Sequence, residues 1–237
     1  MKKSGDDFKK KFNTLKYNCR SDDATSNIDT KVRIQSVLDL IGRGRKVLDI
    51  GCYDGYISEK IKENGNDVIG IDISKEGARL CNERGIKCIE QDIEKKFPFP
   101  ADSFDVVFGG EIIEHVFDTD ALLQEIQRVL KPGGFLVLTT PNIASLTKRI
   151  HFLFGNTPSI EIGLISPDGK EKGAGHIRYF TINSLEKLLN RNGFFIEIWK
   201  TDFITLHKLK LVTLGRMLPS FGYELIVKAK VEKTSDK

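Results

Sequence analysis

A chain of 237 residues, 40% hydrophobic and 30% charged with a net charge of +4, has ordinary globular composition and is long enough to bury the core of one large α/β domain. No apolar run approaches the ~18–20 residues of a spanning helix, and no apolar stretch follows Met1-Lys2-Lys3 to make a secretory leader. The four cysteines (Cys19, Cys52, Cys81, Cys88) include no CxxC pair, which argues against a disulfide framework or zinc knuckle and for a cytoplasmic protein with free thiols.

The first twenty residues hold seven Lys and Arg against two Asp, so the rest of the chain is close to neutral, which weighs against a nucleic-acid partner. Residues 1–30 are polar and mixed in charge and read as a flexible or loosely docked extension, ahead of a domain over 31–237. From Val32 apolar residues recur at helical spacing (Val37, Leu38, Ile41) up to Gly42 or Gly44. Strands and helices then alternate. Strands are expected at Lys46–Ile50, Asp67–Ile73, Ile86–Glu90, Phe104–Phe108 and Phe135–Thr140. Helices are expected at Tyr56–Glu63, Lys75–Arg84 and Thr119–Leu130, the last stopped by Lys131-Pro132-Gly133-Gly134. Such alternation implies right-handed crossovers and a mostly parallel sheet with helices on both faces. Residues 141–180 break the rhythm and read as a long loop insertion with a functional purpose. A helix over Asn183–Asn190, a strand Phe194–Trp199, a less regular stretch 203–222 and a strand Tyr223–Lys230 complete the chain.

The strongest signal is Val47-Leu48-Asp49-Ile50-Gly51-Cys52-Tyr53-Asp54-Gly55, a hydrophobic strand running into a glycine turn and then a helix. In open α/β sheets nucleotide-like ligands bind in the crevice at such strand ends. Gly51 lets backbone approach a ligand, and Gly55 allows tight packing where the helix begins. Asp72, at the end of the second strand, can accept both hydrogen bonds of a ribose diol. A dinucleotide-binding oxidoreductase is the first rival, but its middle glycine is Tyr53 here, and Asp49 is awkward beside a pyrophosphate while suiting a ligand with an ammonium group. After the third strand Asp92 can accept from an adenine amino group, with Ile93 against the ring.

VLDIGCYDG, VIGIDIS, the Asp102–Val107 segment DSFDVV and RVLKPGGFLVL, occurring in that order, closely resemble the class I S-adenosylmethionine-dependent methyltransferase superfamily over roughly residues 45–230. Tyr53 is the departure, since many relatives carry glycine there. The resemblance implies a Rossmann-like sheet of seven strands with the last antiparallel, and S-adenosylmethionine as cofactor. Its site would be formed by Asp49, Gly51, Cys52, Tyr53, Gly55, Asp72, Ile73, Asp92, Ile93 and Glu111.

Glu111-Ile112-Ile113-Glu114-His115 follows the fourth strand, and if it is helical Glu111, Glu114 and His115 share one face. With His176 in Gly175-His176-Ile177-Arg178-Tyr179-Phe180-Thr181, this resembles two metal-using branches, the small-RNA 3′-terminal 2′-O-methyltransferases and the ubiquinone-pathway O-methyltransferases. The preferred reading is metal-free, with His115 as first choice of general base and His176 as second. The alternative is a divalent metal on Glu111, Glu114, His115 and His176. The segment 146–154, apolar with a basic flank, would join 203–222 either as a lid over the substrate or as helices packed on the sheet, and leaves open weak peripheral membrane contact. Similar loops occur in methyltransferases of small molecules, sugars or lipid precursors. The reading is therefore methyl transfer to a hydroxyl or amine of a small-molecule, glycan or lipid-linked substrate. A metal-assisted RNA 3′-end methyltransferase and a non-catalytic S-adenosylmethionine-binding regulator remain as alternatives.

Overall fold

A computed structural model describes residues 28–156, 164–165, 171–172, 176–206 and 209–231. The seven-stranded sheet is built from β1 (Lys46–Ile50), β2 (Asp67–Asp72), β3 (Lys87–Glu90), β4 (Phe104–Gly110), β5 (Leu130–Pro141), β8 (Phe194–Lys200) and β11 (Glu224–Val231). Its order is β3-β2-β1-β4-β5-β11-β8, and β11 runs antiparallel to both of its neighbours. The expected sheet, with its last strand reversed, is the one observed.

Period-two alternation along the strands divides the core into two layers. Leu48, Ile50, Val107, Leu136, Leu138, Leu225 and Val227 face one side, where α4 (Thr119–Val129) contributes Leu122, Leu123 and Ile126 and α6 (Ile182–Arg191) contributes Leu185 and Leu189. Val47, Val106, Phe108, Val137 and Ile226 face the other. There α1 (Ile28–Ile41) supplies Val37, Leu40 and Ile41, α2 (Tyr56–Glu63) supplies Ile61, and α3 (Lys75–Glu83) supplies Ala78 and Cys81. Side chains cap three of these helices: Ser74 accepts from the Gly77 N–H, Asp118 from that of Ala121, and Thr181 pairs reciprocally with Ser184.

Four boundaries differ from expectation. Helix α1 starts at Ile28, so the polar segment assigned to 1–30 loses its end to a helix; Ile28 and Val32 already stand at helical i, i+4 spacing, and residues 1–27 lie outside the described residues. Lys131–Gly134 does not separate helix from strand by a loop. It bulges out of β5 opposite Asp105, with Phe104 paired to Leu130 and Val106 to Phe135. Gly133 takes a φ of +75° there and Lys131 donates to Asp105 at 2.9 Å. Within 141–180 the structure has the expected helix, α5 (Leu146–Leu153), and a short antiparallel pair, β6 (Leu164–Ile165) with β7 (Glu171–Lys172); Gly175 of the GHIRYFT segment is outside the described residues. The stretch 203–222 holds a hairpin, β9 (Ile204–Leu206) with β10 (Leu209–Leu211), and a helix α7 (Val212–Met217).

Helix α5 buries none of its residues, and Leu153 and Phe154 are 80% and 74% exposed. It leans on the hairpin, where Thr147 donates to the Thr205 carbonyl at 2.9 Å, rather than lying on the sheet. Among the described residues no helix is long and apolar enough to cross a membrane.

Candidate active site

Gly51 follows β1 with a φ of +73°, and a Cβ there would stand 2.7 Å from the Ile112 side chain. Gly55 opens α2 at φ +76°, with Cys81 so close that a Cβ would meet its sulfur at 2.6 Å. These two glycines turn the chain sharply at the carboxyl end of β1 and leave a cleft open to solvent, lined by Arg33, Asp49, Gly51, Cys52, Tyr53, Asp54, Tyr56, Ile57, Phe108, Gly110 and Glu111. Two non-glycine residues on its rim, Tyr53 (φ 45°) and Glu111 (φ 53°), sit in the left-handed region. Such strain costs ~1–3 kcal/mol and tends to collect at ligand sites.

Asp49 lies at the floor, almost completely buried, and accepts from the Ser58 hydroxyl at 2.5 Å. Burial pushes its carboxyl up to about 8, against the Ser58 hydrogen bond and with help from Cys81 and Asp72. Asp72, at the end of β2, accepts from the Tyr53 N–H at 2.8 Å and the Ser74 N–H at 2.7 Å; burial raises it to about 6 and those two bonds hold it back. Asp72 therefore pins the glycine turn from the neighbouring strand. Neither Asp72 nor Gly55 is among the residues lining the cleft, and Ile73, which follows Asp72 and is half-buried, is outside it too. Asp92 and Ile93 lie just past β3, also outside the lining. Asp92 accepts from the Glu94 N–H, and Ile93 packs against the α4 side of the core.

The raised Asp49 carboxyl has a stability consequence. The unfolded chain releases this proton near pH 4 and the folded chain near pH 8. In that window the folded state binds more protons, so ligand-free stability falls as pH rises and levels off above about 8. Asp49→Asn removes this group's share of the slope, leaving that of Asp72, which is raised to about 6. At pH 8 the variant is expected to melt more than ~4 °C above wild type, about the shift that 1–2 kcal/mol gives in a domain of this size. Parallel melting profiles from pH 5 to 9 would contradict this assignment.

Arg33, on α1, is a cleft residue that the sequence reading missed. Among the described lining residues it is the one cation. Its guanidinium lies 3.7 Å from Glu111 and 3.8 Å from Glu224 on β11. Burial opposes its charge, yet Glu111, Glu224, Asp202 and Glu114 outweigh it and hold the group above its usual value. The signal was present: Arg33 stands four residues before Val37 and eight before Ile41, on the apolar stripe of an amphipathic helix.

The turn after β4 is a single 3-10 turn, Ile113–His115, and the left-handed Glu111 lies outside it. Glu111, Glu114 and His115 consequently do not share a helical face. Thr139 donates to Glu111 at 2.8 Å and Thr140 donates to Glu114 at 3.0 Å. Adjacent strand residues point to opposite faces, so β5 parts the two glutamates. Glu111 goes to the cleft and Arg33. Glu114, almost completely buried, goes to the histidines, with Oε1 3.9 Å from His115 Nε2 and 3.8 Å from His176 Nε2. The two rings lie 4.8 Å apart. His176 reaches this point because the Ile177 and Arg178 N–H groups both donate to the Glu114 carbonyl, and the Arg178 guanidinium donates to the carbonyls of Val116 and Phe117. Near the histidines in the chain, Phe117, Ile177 and Tyr179 are 65%, 46% and 36% exposed, and the Tyr179 ring meets that of His176 edge-on at 6.3 Å. Glu114, His115 and His176 offer ligand atoms within 4.8 Å of one another, a set that excludes Glu111.

A family model described as a methyltransferase domain matches residues 28–197. The human mitochondrial ubiquinone biosynthesis O-methyltransferase is 31% identical over 163 residues, covering 65% of this chain and 42% of that protein. The chain thus spans less than half the length of this curated relative. Among solved structures, a possible histamine N-methyltransferase from Thermotoga maritima superposes with a TM-score of 0.63 at 21% identity, over 84% of this chain and 87% of that one. A [4+2]-cyclase superposes at 0.59 with 19% identity, over 85% of this chain and 82% of that one, so fold alone does not fix the reaction.

Proposed function

The chain belongs to the methyltransferase-domain family, and from that premise we propose that it moves a methyl group from S-adenosylmethionine to a hydroxyl of a small molecule with an apolar body. When bound, S-adenosylmethionine supplies a methyl group made electrophilic by its sulfonium. The cleft suits such a ligand: Asp49 and Glu111 in its lining suit an ammonium, Arg33 suits one carboxylate, and Gly51 leaves room at the turn, while Asp72, behind the turn and outside the lining, is assigned to the ribose diol. A pyrophosphate would meet those carboxylates with a single guanidinium to offset them, which disfavours a dinucleotide. Tyr53 and Glu111, held in strained backbone, set the walls.

The observation that carries the reading is Glu114 between His115 and His176. A hydroxyl must lose its proton to become a competent nucleophile, and an imidazole is suited to take it near neutral pH. His115 is assigned as the base, Glu114 as the group that orients it, and His176 as the alternative base. The exposed Phe117, Ile177 and Tyr179 favour an apolar acceptor, a lipid precursor before a sugar. The similarity to an O-methyltransferase supports oxygen as the acceptor atom.

The same cluster carries a second reading. A carboxylate and two imidazoles at this spacing are a fitting ligand set for a divalent ion, which Glu114, His115 and His176 would hold and which would acidify an acceptor hydroxyl.

Calorimetry with S-adenosylmethionine and with NAD, followed by transfer of isotope-labelled methyl to a panel of phenols, catechols and RNA oligonucleotides, tests the proposal. Binding of S-adenosylmethionine and label on a small hydroxylated acceptor are expected. Heat from NAD with none from S-adenosylmethionine would end the reading, and label on RNA alone would overturn the acceptor class.

A further inference from the structure

Three of the four cysteines meet beneath the glycine turn. Cys52 comes from the turn itself, Cys81 from α3 and Cys88 from β3. The Cys52 sulfur lies 3.8 Å from that of Cys81 and 3.2 Å from that of Cys88, and all three lie within 4.8 Å of one another. Cys81 is fully buried, and Cys52 and Cys88 are each 9% exposed. Glycines clear the space: a Cβ on Gly70 would stand 2.5 Å from the Cys52 sulfur, and one on Gly55 would stand 2.6 Å from that of Cys81.

Buried free cysteines commonly serve as small hydrophobes. Packing needs no convergence of the sulfurs themselves, however, and here three separate elements aim theirs at one point. A disulfide would use two of the three and leave the last unexplained. Thiolates bound to zinc stand ~2.3 Å from the metal, which places sulfurs roughly 3.8–4 Å from one another, close to the spacing found.

We propose that Cys52, Cys81 and Cys88 form a three-thiolate site for a soft d10 cation of the zinc, cadmium or copper(I) class. On binding, the thiols release their protons to solvent and three sulfur–metal bonds form, with no change of oxidation state. The ion ties the cleft-side turn, whose Cys52 also lines the cleft, to α3 and β3, and the inference is argued from the three sulfurs alone, not from the methyl-transfer reading.

The test uses the full chain carrying Cys19→Ser, reduced, stripped with a chelator and titrated with cadmium(II). An ultraviolet thiolate-to-cadmium charge-transfer band saturating at one equivalent, and a melting temperature that rises with cadmium, are expected. Cys81→Ser and Cys88→Ser, made separately on this background, are each expected to lose more affinity than the ~10–100-fold that a missing supporting contact costs a metal site. A parent protein without the band overturns the proposal, as does cadmium affinity undiminished in both variants, which would place the ion elsewhere. If a variant does not fold, the band in the parent still decides, because histidine and carboxylate ligands do not give it.

Discussion

Alanine in place of Asp72 is expected to weaken S-adenosylmethionine binding by about 10- to 150-fold, equivalent to ~1.5–3 kcal/mol for two lost hydrogen bonds to a charged acceptor. Each carboxylate oxygen has about two lone-pair sites, and one on each is already taken, by the Tyr53 and Ser74 N–H groups. The remaining pair is the number a ribose diol needs. Alanine also orphans two N–H groups, so the ligand-free protein should melt lower, and calorimetry has to be run below that melting point. Unchanged affinity alongside a lower melting temperature would reduce Asp72 to a turn-holder and would sink its assignment to the ribose.

The second large effect is at His115. His115→Ala is expected to reduce turnover by about 10²–10⁴-fold, the range for loss of a positioned general base, while cofactor affinity changes little. The arrangement around Thr139 and Thr140 gives the experiment a further arm. Glu111→Ala should act on cofactor affinity through Arg33, and Glu114→Ala on turnover through the histidines. In the metal-free reading a chelator leaves turnover alone. In the metal reading chelation abolishes it, added magnesium, manganese or zinc restores it, and Glu114→Ala is as damaging as His115→Ala. Full activity in His115→Ala with a harmless chelator would leave neither reading standing, and alignment of the reactants would then be the main device.

The parts of this molecule that were legible in the sequence are local. The strands read from their apolar runs and the glycine turn from Gly51 and Gly55, because each depends on residues a few positions apart. What stayed hidden depends on register between distant strands. Glu111 and Glu114 look like neighbours on one helical face until β5 supplies Thr139 for one and Thr140 for the other. Arg33 could be suspected from its place on an apolar stripe, but its partner Glu224 belongs to a strand at the far end of the domain. The three cysteines showed no ligand spacing, since their meeting is made by the order of β1, β2 and β3 and by a helix laid over them.

The strand order also governs what can happen while the polypeptide is still being made. β11 follows β8 in the chain but lies between β5 and β8 in the sheet, and β8 has β11 as its partner there. A nascent chain that has emerged through β8 therefore carries β5 with an open edge and an unsatisfied strand bearing Phe194, Phe195 and Trp199. Emergence of β11 closes both gaps in one step. Until then the emerging chain is prone to clump with its own kind, and a ribosome pausing between β8 and β11 would lengthen that exposure.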